Sequence, residues 1–147
     1  MIEIKLTKEQ YEDLVKLVYL GNWMINAIRT DDKIEKYDMI EQYIYSFAKN
    51  ANLENYIVFD DELNKFYPTR EFELETDVDE YRDEYNNEIF WDELIDRLSV
   101  RDFIKAYGKD AIEKMSLREQ IVKKSPFIEK YEKEFEKHGI ENLEIKK

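Results

Sequence analysis

Apolar side chains recur at steps of three and four residues through most of this chain, and no other sequence feature restricts its fold as much. Such spacing places apolar side chains on one face of a helix. The 147 residues include only three glycines and two prolines, and no repeat or linker divides the chain. We therefore predict a mainly α fold: a multi-helix, bundle-like single domain over residues 1–147, with a minor β component.

The first helices are the most clearly marked. Thr7 and Gln10 have the spacing of a capping box, which predicts a helix start. Between Leu17 and Ile28 only one glycine and two asparagines interrupt the apolar residues, so we expect this helix to be buried on most sides. Gly21 is then expected to let another helix approach closely. A second helix, capped by one of two adjacent aspartates at 31 and 32, completes an antiparallel pair.

Three stretches predict the minor β component. Residues 56–67 hold two β-prone runs around a polar turn, which favours a small hairpin, with a helical turn from Asp60 as the alternative. Apolar and acidic residues alternate over 72–74, as in an edge strand or an extended crossing. Residues 1–6 alternate in the same way, and the tail over 143–145 is expected to pair with them as short terminal strands.

The second half of the chain predicts helices throughout. A long pattern runs over residues 78–107, with a possible break at 86–87, where Asn87 would cap the second half. Ser125 followed by Pro126 is typical of a helix start. The helix that begins there is expected to end at Gly139.

Composition excludes several classes of protein. Because there is no cysteine, disulfide scaffolds, thiolate zinc sites and thiol nucleophiles are excluded. With 35 acidic and 23 basic residues, the chain is poorly suited to direct nucleic-acid binding, which depends on cationic side chains. Neither a secretion signal nor a membrane span is evident, so we expect a cytoplasmic protein. Isolated glycines and the single His138 match no phosphate loop or catalytic triad, and no catalytic residue is predicted.

The net charge of −12 is concentrated in one segment. Residues 71–96 hold twelve acids and a single base, Arg82, which gives −11. Residues 1–70 carry −4 and residues 97–147 carry +3. Clustered carboxylates attract cations, and neighbouring aromatic side chains add contact area. The segment therefore favours a small non-enzymatic interaction protein that binds a basic protein or another cationic partner.

The expected contacts lie at the start of the long helix. The candidate binding residues are Asp79, Glu80, Tyr81, Asp83, Glu84, Tyr85 and Glu88. The same acids also fit a solvated helix face near a helix N-terminus, where the macrodipole favours negative charge. The sequence leaves both possibilities open, and it predicts no oligomeric state.

An enzymatic alternative comes from two pairs of carboxylates. Glu80 and Asp83, like Glu93 and Asp96, are three residues apart, so each pair faces one side of a helix and can hold Mg²⁺ through oxygen ligands. This spacing is similar to the paired acidic motifs of the all-α nucleoside triphosphate pyrophosphohydrolases. The resemblance implies that these four residues bind magnesium ions, which engage the substrate's phosphates and help to activate water.

Overall fold

The protein is mainly helical with one small antiparallel sheet, as seen in a computed structural model that describes residues 2–145. The predicted mainly α class with a minor β component is confirmed. The helices are α1 (Lys8–Asn26), α2 (Glu35–Tyr45), α3 (Arg70–Glu75), α4 (Val78–Tyr107), α5 (Lys109–Glu113) and α6 (Leu117–His138), with a 3₁₀ turn at Ala48–Ala51. The strands are β1 (Ile57–Asp60) and β2 (Lys65–Pro68).

Contacts group the chain into two compact units. Unit 1 is Met1–Asp83 and unit 2 is Glu84–Lys147. Helix α4 contributes its first six residues to unit 1 and the others to unit 2. That the two units form one domain stays a prediction.

A helical hairpin of α1 and α2 organises unit 1. The predicted capping box is confirmed: the Gln10 amide donates to the Thr7 hydroxyl at 3.2 Å, and the Thr7 amide donates to the Gln10 side chain at 3.0 Å. The Tyr11 hydroxyl donates to the carbonyl of Ile44 at 2.6 Å, near the opposite end of α2. The two helices are therefore antiparallel, as predicted.

The start of α2 differs from the prediction. Neither aspartate caps the helix; Ile34 is its N-cap residue and makes no side-chain cap. Its amide instead donates to the side chain of Asn26, at the end of α1, at 2.9 Å. Asn26 is buried, and its amide group also donates to Asp38 at 3.1 Å. One buried asparagine thus joins the two helices, because a buried polar group needs such partners.

The predicted hairpin near 56–67 is confirmed. Strands β1 and β2 pair antiparallel, with Phe59 opposite Phe66. In the turn, Asp60 accepts hydrogen bonds from the backbone amides two and three residues further along the chain. Asn64 takes a positive φ of 52°. Asparagine tolerates that conformation better than most residues. The turn chemistry therefore outweighs the alternative of a helical turn at Asp60.

The expected strand or crossing at 72–74 is wrong. Thr69 caps α3 instead, since its hydroxyl accepts from the Phe72 amide at 3.2 Å. Phe72 is fully buried, whereas Leu74 is exposed, so the apolar alternation does not mark one face of a strand. Phe72 packs edge-to-face against Tyr19 and Tyr56, with ring centroids 5.2 and 6.0 Å away. It lies in the unit 1 core with Tyr11, Val15, Tyr45, Ala48, Leu53, Ile57 and Val78.

The predicted terminal strands are also wrong. Residues 2–6 and 143–145 carry no strand, and Met1 lies outside the described residues. An isolated two-stranded ribbon is marginal in water, and neither segment pairs with another strand in the described part of the chain. Both segments remain largely exposed.

Two expected helix boundaries in the second half do not occur. Helix α4 is continuous through 86–87, so Asn87 caps nothing. Ser116 caps the start of helix α6 through a capping box with Glu119, and Pro126 lies inside the helix. The two reciprocal hydrogen bonds of that box satisfy more of the free amides than a proline can. The predicted end at Gly139 is confirmed.

Aromatic side chains pack α4 against α6 in unit 2. Trp91 lies 5.6 Å from Phe135, whose ring stacks on Tyr131 at 5.8 Å. Polar contacts reinforce this packing, because the Tyr131 hydroxyl donates to Asp102 and accepts from Arg101 at 2.8 Å. The hydrogen bonds that Asp102 accepts lower its pKa well below the usual range. The hydrogen bond from Arg101 to Asp102 is the largest cause.

Candidate functional site

Helix α4 places the predicted binding residues on both sides of the boundary between the units. Asp79, Glu80, Tyr81 and Asp83 belong to unit 1, while Glu84, Tyr85 and Glu88 belong to unit 2. Except for Asp79, which is half-buried, all of them are exposed. Tyr81 is 50% exposed and Tyr85 is 46% exposed, so both rings leave the cores.

In unit 1, the single base of the acidic segment is directed away from the solvent. The Arg82 guanidinium lies 5.8 Å from the centre of the Trp23 ring and 2.9 Å from Asp79. It is 3.9 Å from Asp83, whose side chain remains largely exposed. Asp79 is thus the nearer of the two carboxylates that pair with Arg82. Asp83 and Glu80 keep their charges at the surface.

Tyr81 is held by a contact within its own helix. Its hydroxyl donates to Asp77 at 2.8 Å, and Lys16 of α1 approaches the other oxygen of Asp77 at 3.3 Å. The hydrogen bond from Tyr81 is the main reason that the pKa of Asp77 is lowered. Because its hydroxyl is fixed in this way, the exposed part of Tyr81 is an ordered ring edge.

Another acid of the segment supports the core of unit 1. Glu73 accepts a hydrogen bond from the Tyr19 hydroxyl at 3.2 Å. Burial, followed by the charge of Glu73, raises the pKa of Tyr19 to about 12. The hydroxyl therefore remains a donor at neutral pH.

In unit 2, the acidic segment begins with unpaired carboxylates. Glu84 and Glu88 are exposed, and neither forms an ion pair within residues 2–145. Further along α4, Glu93 pairs at 2.9 Å with Arg97, which lies one helical turn further on. Asp96 contacts Lys124 of α6. Within the segment, the carboxylates before Glu93 are therefore the ones that no base of unit 2 compensates.

The four carboxylates of the magnesium alternative do not form a ligand set. Glu80 and Asp83 belong to unit 1, and Glu93 and Asp96 belong to unit 2. Both carboxylates of the second pair are engaged by basic side chains. Among residues 2–145, no three acidic or histidine side chains lie together as a metal ion would require. The alternative stays a prediction without a preformed site.

One cavity was not predicted from the sequence. It is an apolar groove of about 730 Å³ in unit 1, between α1, α2 and the segment before α1. Its apolar lining includes Ile2, Ile4, Leu6, Leu14, Leu17, Tyr43, Ile44 and Phe47. The charge-free run after Lys16 is the sequence signal for this groove, although such a run also predicts burial within the fold.

A second, polar cavity of about 320 Å³ opens beside the other side of the hairpin. Asn22 donates to Asp38 there at 2.9 Å, and Tyr45 donates to Glu41 at 3.2 Å. Burial raises the pKa of Glu41. Its polar groups largely satisfy one another, so the cavity holds a structural network that links α1 to α2.

Comparison of the chain with protein-family models, curated proteins and solved structures found no match. Across residues 2–145, no helix combines the length and the apolar character needed to cross a membrane.

Proposed function

We propose that this chain is a small, non-enzymatic cytoplasmic protein that binds a basic protein partner through the acidic, tyrosine-bearing surface of α4. That surface comprises Asp79, Glu80, Tyr81, Asp83, Glu84, Tyr85 and Glu88. Exposed tyrosines next to unpaired carboxylates supply contact area and attraction for cations together.

The position of Arg82 is the observation that carries the proposal. A helix face that served only for solubility would gain from an exposed base that pairs with its acids. Here the sole base of the segment contacts Trp23, Asp79 and Asp83. Glu80, Glu84 and Glu88 are left exposed and form no ion pair within residues 2–145. A lysine- or arginine-rich partner would provide the missing positive charges.

The chemistry of the surface also limits the partner. Long-range attraction between exposed charges falls off over about 8 Å at physiological ionic strength, so it speeds association more than it tightens the complex. The rings of Tyr81 and Tyr85 must therefore supply much of the short-range contact. We expect the partner to present arginine or lysine next to apolar side chains, since cations also stack on tyrosine faces.

A binding assay with matched charge changes tests the proposal. The probe is a fluorescein-labelled 20-residue peptide in which Lys-Arg pairs alternate with leucine. Its fluorescence anisotropy is measured as the protein is added. The combined variant Glu80→Gln, Asp83→Asn, Glu84→Gln, Glu88→Gln is expected to bind at least tenfold more weakly. Tenfold corresponds to about 1.4 kcal/mol, which four exposed charge pairs readily supply.

The control removes the same number of negative charges from α6 and the segment that follows it. The exposed glutamates of α6 and its end, Glu132, Glu136, Glu141 and Glu144, are changed to glutamine together. This variant has the same net charge as the test variant, and we expect its affinity to change less than threefold. Equal losses in both variants would mean that the peptide responds to net charge, and the proposed surface would be wrong.

A further inference from the structure

One side of the charge-free run of α1 is exposed where the sequence predicted burial on most sides. No charged residue occurs from Leu17 to Ile28, although 39% of the chain is charged. Yet Leu17 is 67% exposed, Met24 is 53% exposed and Ile28, just after the helix, is 86% exposed. Depletion of charge from an exposed apolar surface is typical of the centre of a protein interface.

The exposed side chains follow a heptad spacing along α1. The half-buried Leu14 and the exposed Leu17, Gly21 and Met24 are separated by steps of three and four, so they form one stripe. Ile28 continues the spacing just after the helix. Val15, Asn22 and Asn26, on the inner side, face α2 and the core. The heptad stripe is thus additional to the face that already packs within unit 1.

Gly21 occupies the middle of the heptad stripe. A Cβ atom placed on it would have no atom of the described residues within 4 Å, apart from its own helix and chain neighbours. The helix expected to approach this glycine is therefore not supplied by the described part of the chain. The position remains open to a helix from outside.

Helix α2 and the N-terminal segment extend the same apolar face. Tyr43 and Phe47 line the groove together with Leu14 and Leu17, and Ile40 continues their spacing along α2. Ile2, Ile4 and Leu6 form the remaining wall. We define the hairpin face as the exposed apolar residues Ile2, Ile4, Leu6, Leu17, Met24, Ile28, Ile40, Tyr43 and Phe47.

We propose that the hairpin face is covered by a second copy of this chain, so that two α1–α2 hairpins pack into a twofold-symmetric four-helix bundle. The area fits this occupant. The nine side chains are about three fifths exposed on average, and they present roughly 650 Å² of apolar surface by the usual areas of aliphatic and aromatic side chains. A standard interface buries about 800 Å² per partner, and homodimer interfaces are about 65% apolar, so each copy needs roughly 500 Å² of apolar surface, which the hairpin face supplies.

The shape and the charge also favour a second copy. A twofold interface joins the same patch on both chains, and the nine side chains of the hairpin face carry no charge that would repel the same face of a second copy. Lys8 and Asp13, which also line the groove, have opposite charges. Crossing of two α1 helices near Gly21 would bring their backbones close, because neither copy has a side chain there. A basic partner has no opposite charge to meet on this face.

Sedimentation equilibrium tests the proposal with paired variants. We expect the wild-type protein to have twice the chain mass of 18.0 kDa at micromolar concentration. Leu17→Lys with Met24→Lys should give the monomer mass, whereas the control Ile121→Lys with Val122→Lys on α6 should leave the dimer intact. Ile121 and Val122 are similarly exposed, so both pairs place lysines at open positions.

Gly21→Leu separates an interface from a merely exposed surface. Within one chain the leucine meets open space and improves helix propensity, so the helical signal at 222 nm should be kept. Between two chains it holds the helices apart, and the dimer should dissociate at least tenfold more readily. Wild-type protein that stays at 18.0 kDa up to 200 µM would overturn the proposal. This holds even if a different protein is found to cover the face. So would a Gly21→Leu dimer as tight as wild type.

Discussion

Arg82→Gln tests whether the inward guanidinium both stabilises unit 1 and limits the negative charge of the surface. In the folded protein, Arg82 contacts the Trp23 ring at 5.8 Å and Asp79 at 2.9 Å. Glutamine keeps a polar, though shorter, side chain and removes the charge. Stability should fall, and the affinity for basic peptides should rise.

The magnitude follows from the two contacts. A cation–π contact contributes about 0.5–1 kcal/mol at a partly exposed site. The ion pair with Asp79 contributes about 0.5–1 kcal/mol, because Asp79 is 38% exposed and solvent screens the interaction. We expect the free energy of unfolding to fall by about 1–2 kcal/mol. The freed Asp79 adds one negative charge to the binding surface, and peptide affinity should rise about two- to threefold.

Urea unfolding followed by circular dichroism, together with peptide anisotropy, measures both effects. The control is Arg97→Gln, which removes an equally short but exposed ion pair with Glu93. That change should cost less than about 0.5 kcal/mol. The reasoning is refuted if Arg82→Gln is no more destabilising than Arg97→Gln, or if Arg82→Gln weakens peptide binding.

Three further substitutions have defined outcomes. Asp102→Asn should lower the unfolding free energy by about 1.5–3 kcal/mol, since it weakens charge-assisted hydrogen bonds, and urea titration checks this value. Because the folded pKa of Asp102 is depressed, its contribution to stability is present above the unfolded pKa of about 4 and is lost as the pH falls below that value. Unfolding free energies of the variant, measured across acidic pH, should lack this loss. Ser99→Ala should raise the thermal midpoint, since the Ser99 hydroxyl is buried and has no hydrogen-bond partner among residues 2–145. Phe72→Ala should cost about 3–5 kcal/mol in urea unfolding, because Phe72 is fully buried among aromatic rings.

Local signals were the most predictable part of the fold. The capping boxes at Thr7 and Ser116 each fix a helix start through contacts three residues apart, so the sequence contains the whole interaction. The turn between β1 and β2 is similar, since Asp60 and Asn64 determine it locally. Ser125-Pro126 shows the limit of this approach, because an earlier and stronger cap already includes both residues in α6.

Features that depend on distant residues were not predictable. Alternation around Phe72 resembled a strand, yet the position of the ring among Tyr19 and Tyr56 decides the conformation. The apolar run after Leu17 indicated burial, because sequence periodicity does not distinguish a core face from an interface. For the candidate site, the location of the charge was evident, whereas the inward turn of Arg82 depends on Trp23, almost sixty positions earlier in the chain.

Mapping of bound peptide by backbone amide chemical shifts tests the proposed function most directly. ¹⁵N-labelled protein is titrated with the Lys-Arg and Leu peptide at physiological salt, and the shift changes are recorded for each residue. The proposed surface predicts that the largest changes fall within residues 77–90 and that Tyr81→Ala with Tyr85→Ala abolishes most of them without changing the net charge. Changes spread evenly over the acidic residues of the chain, or centred on α6, would contradict it.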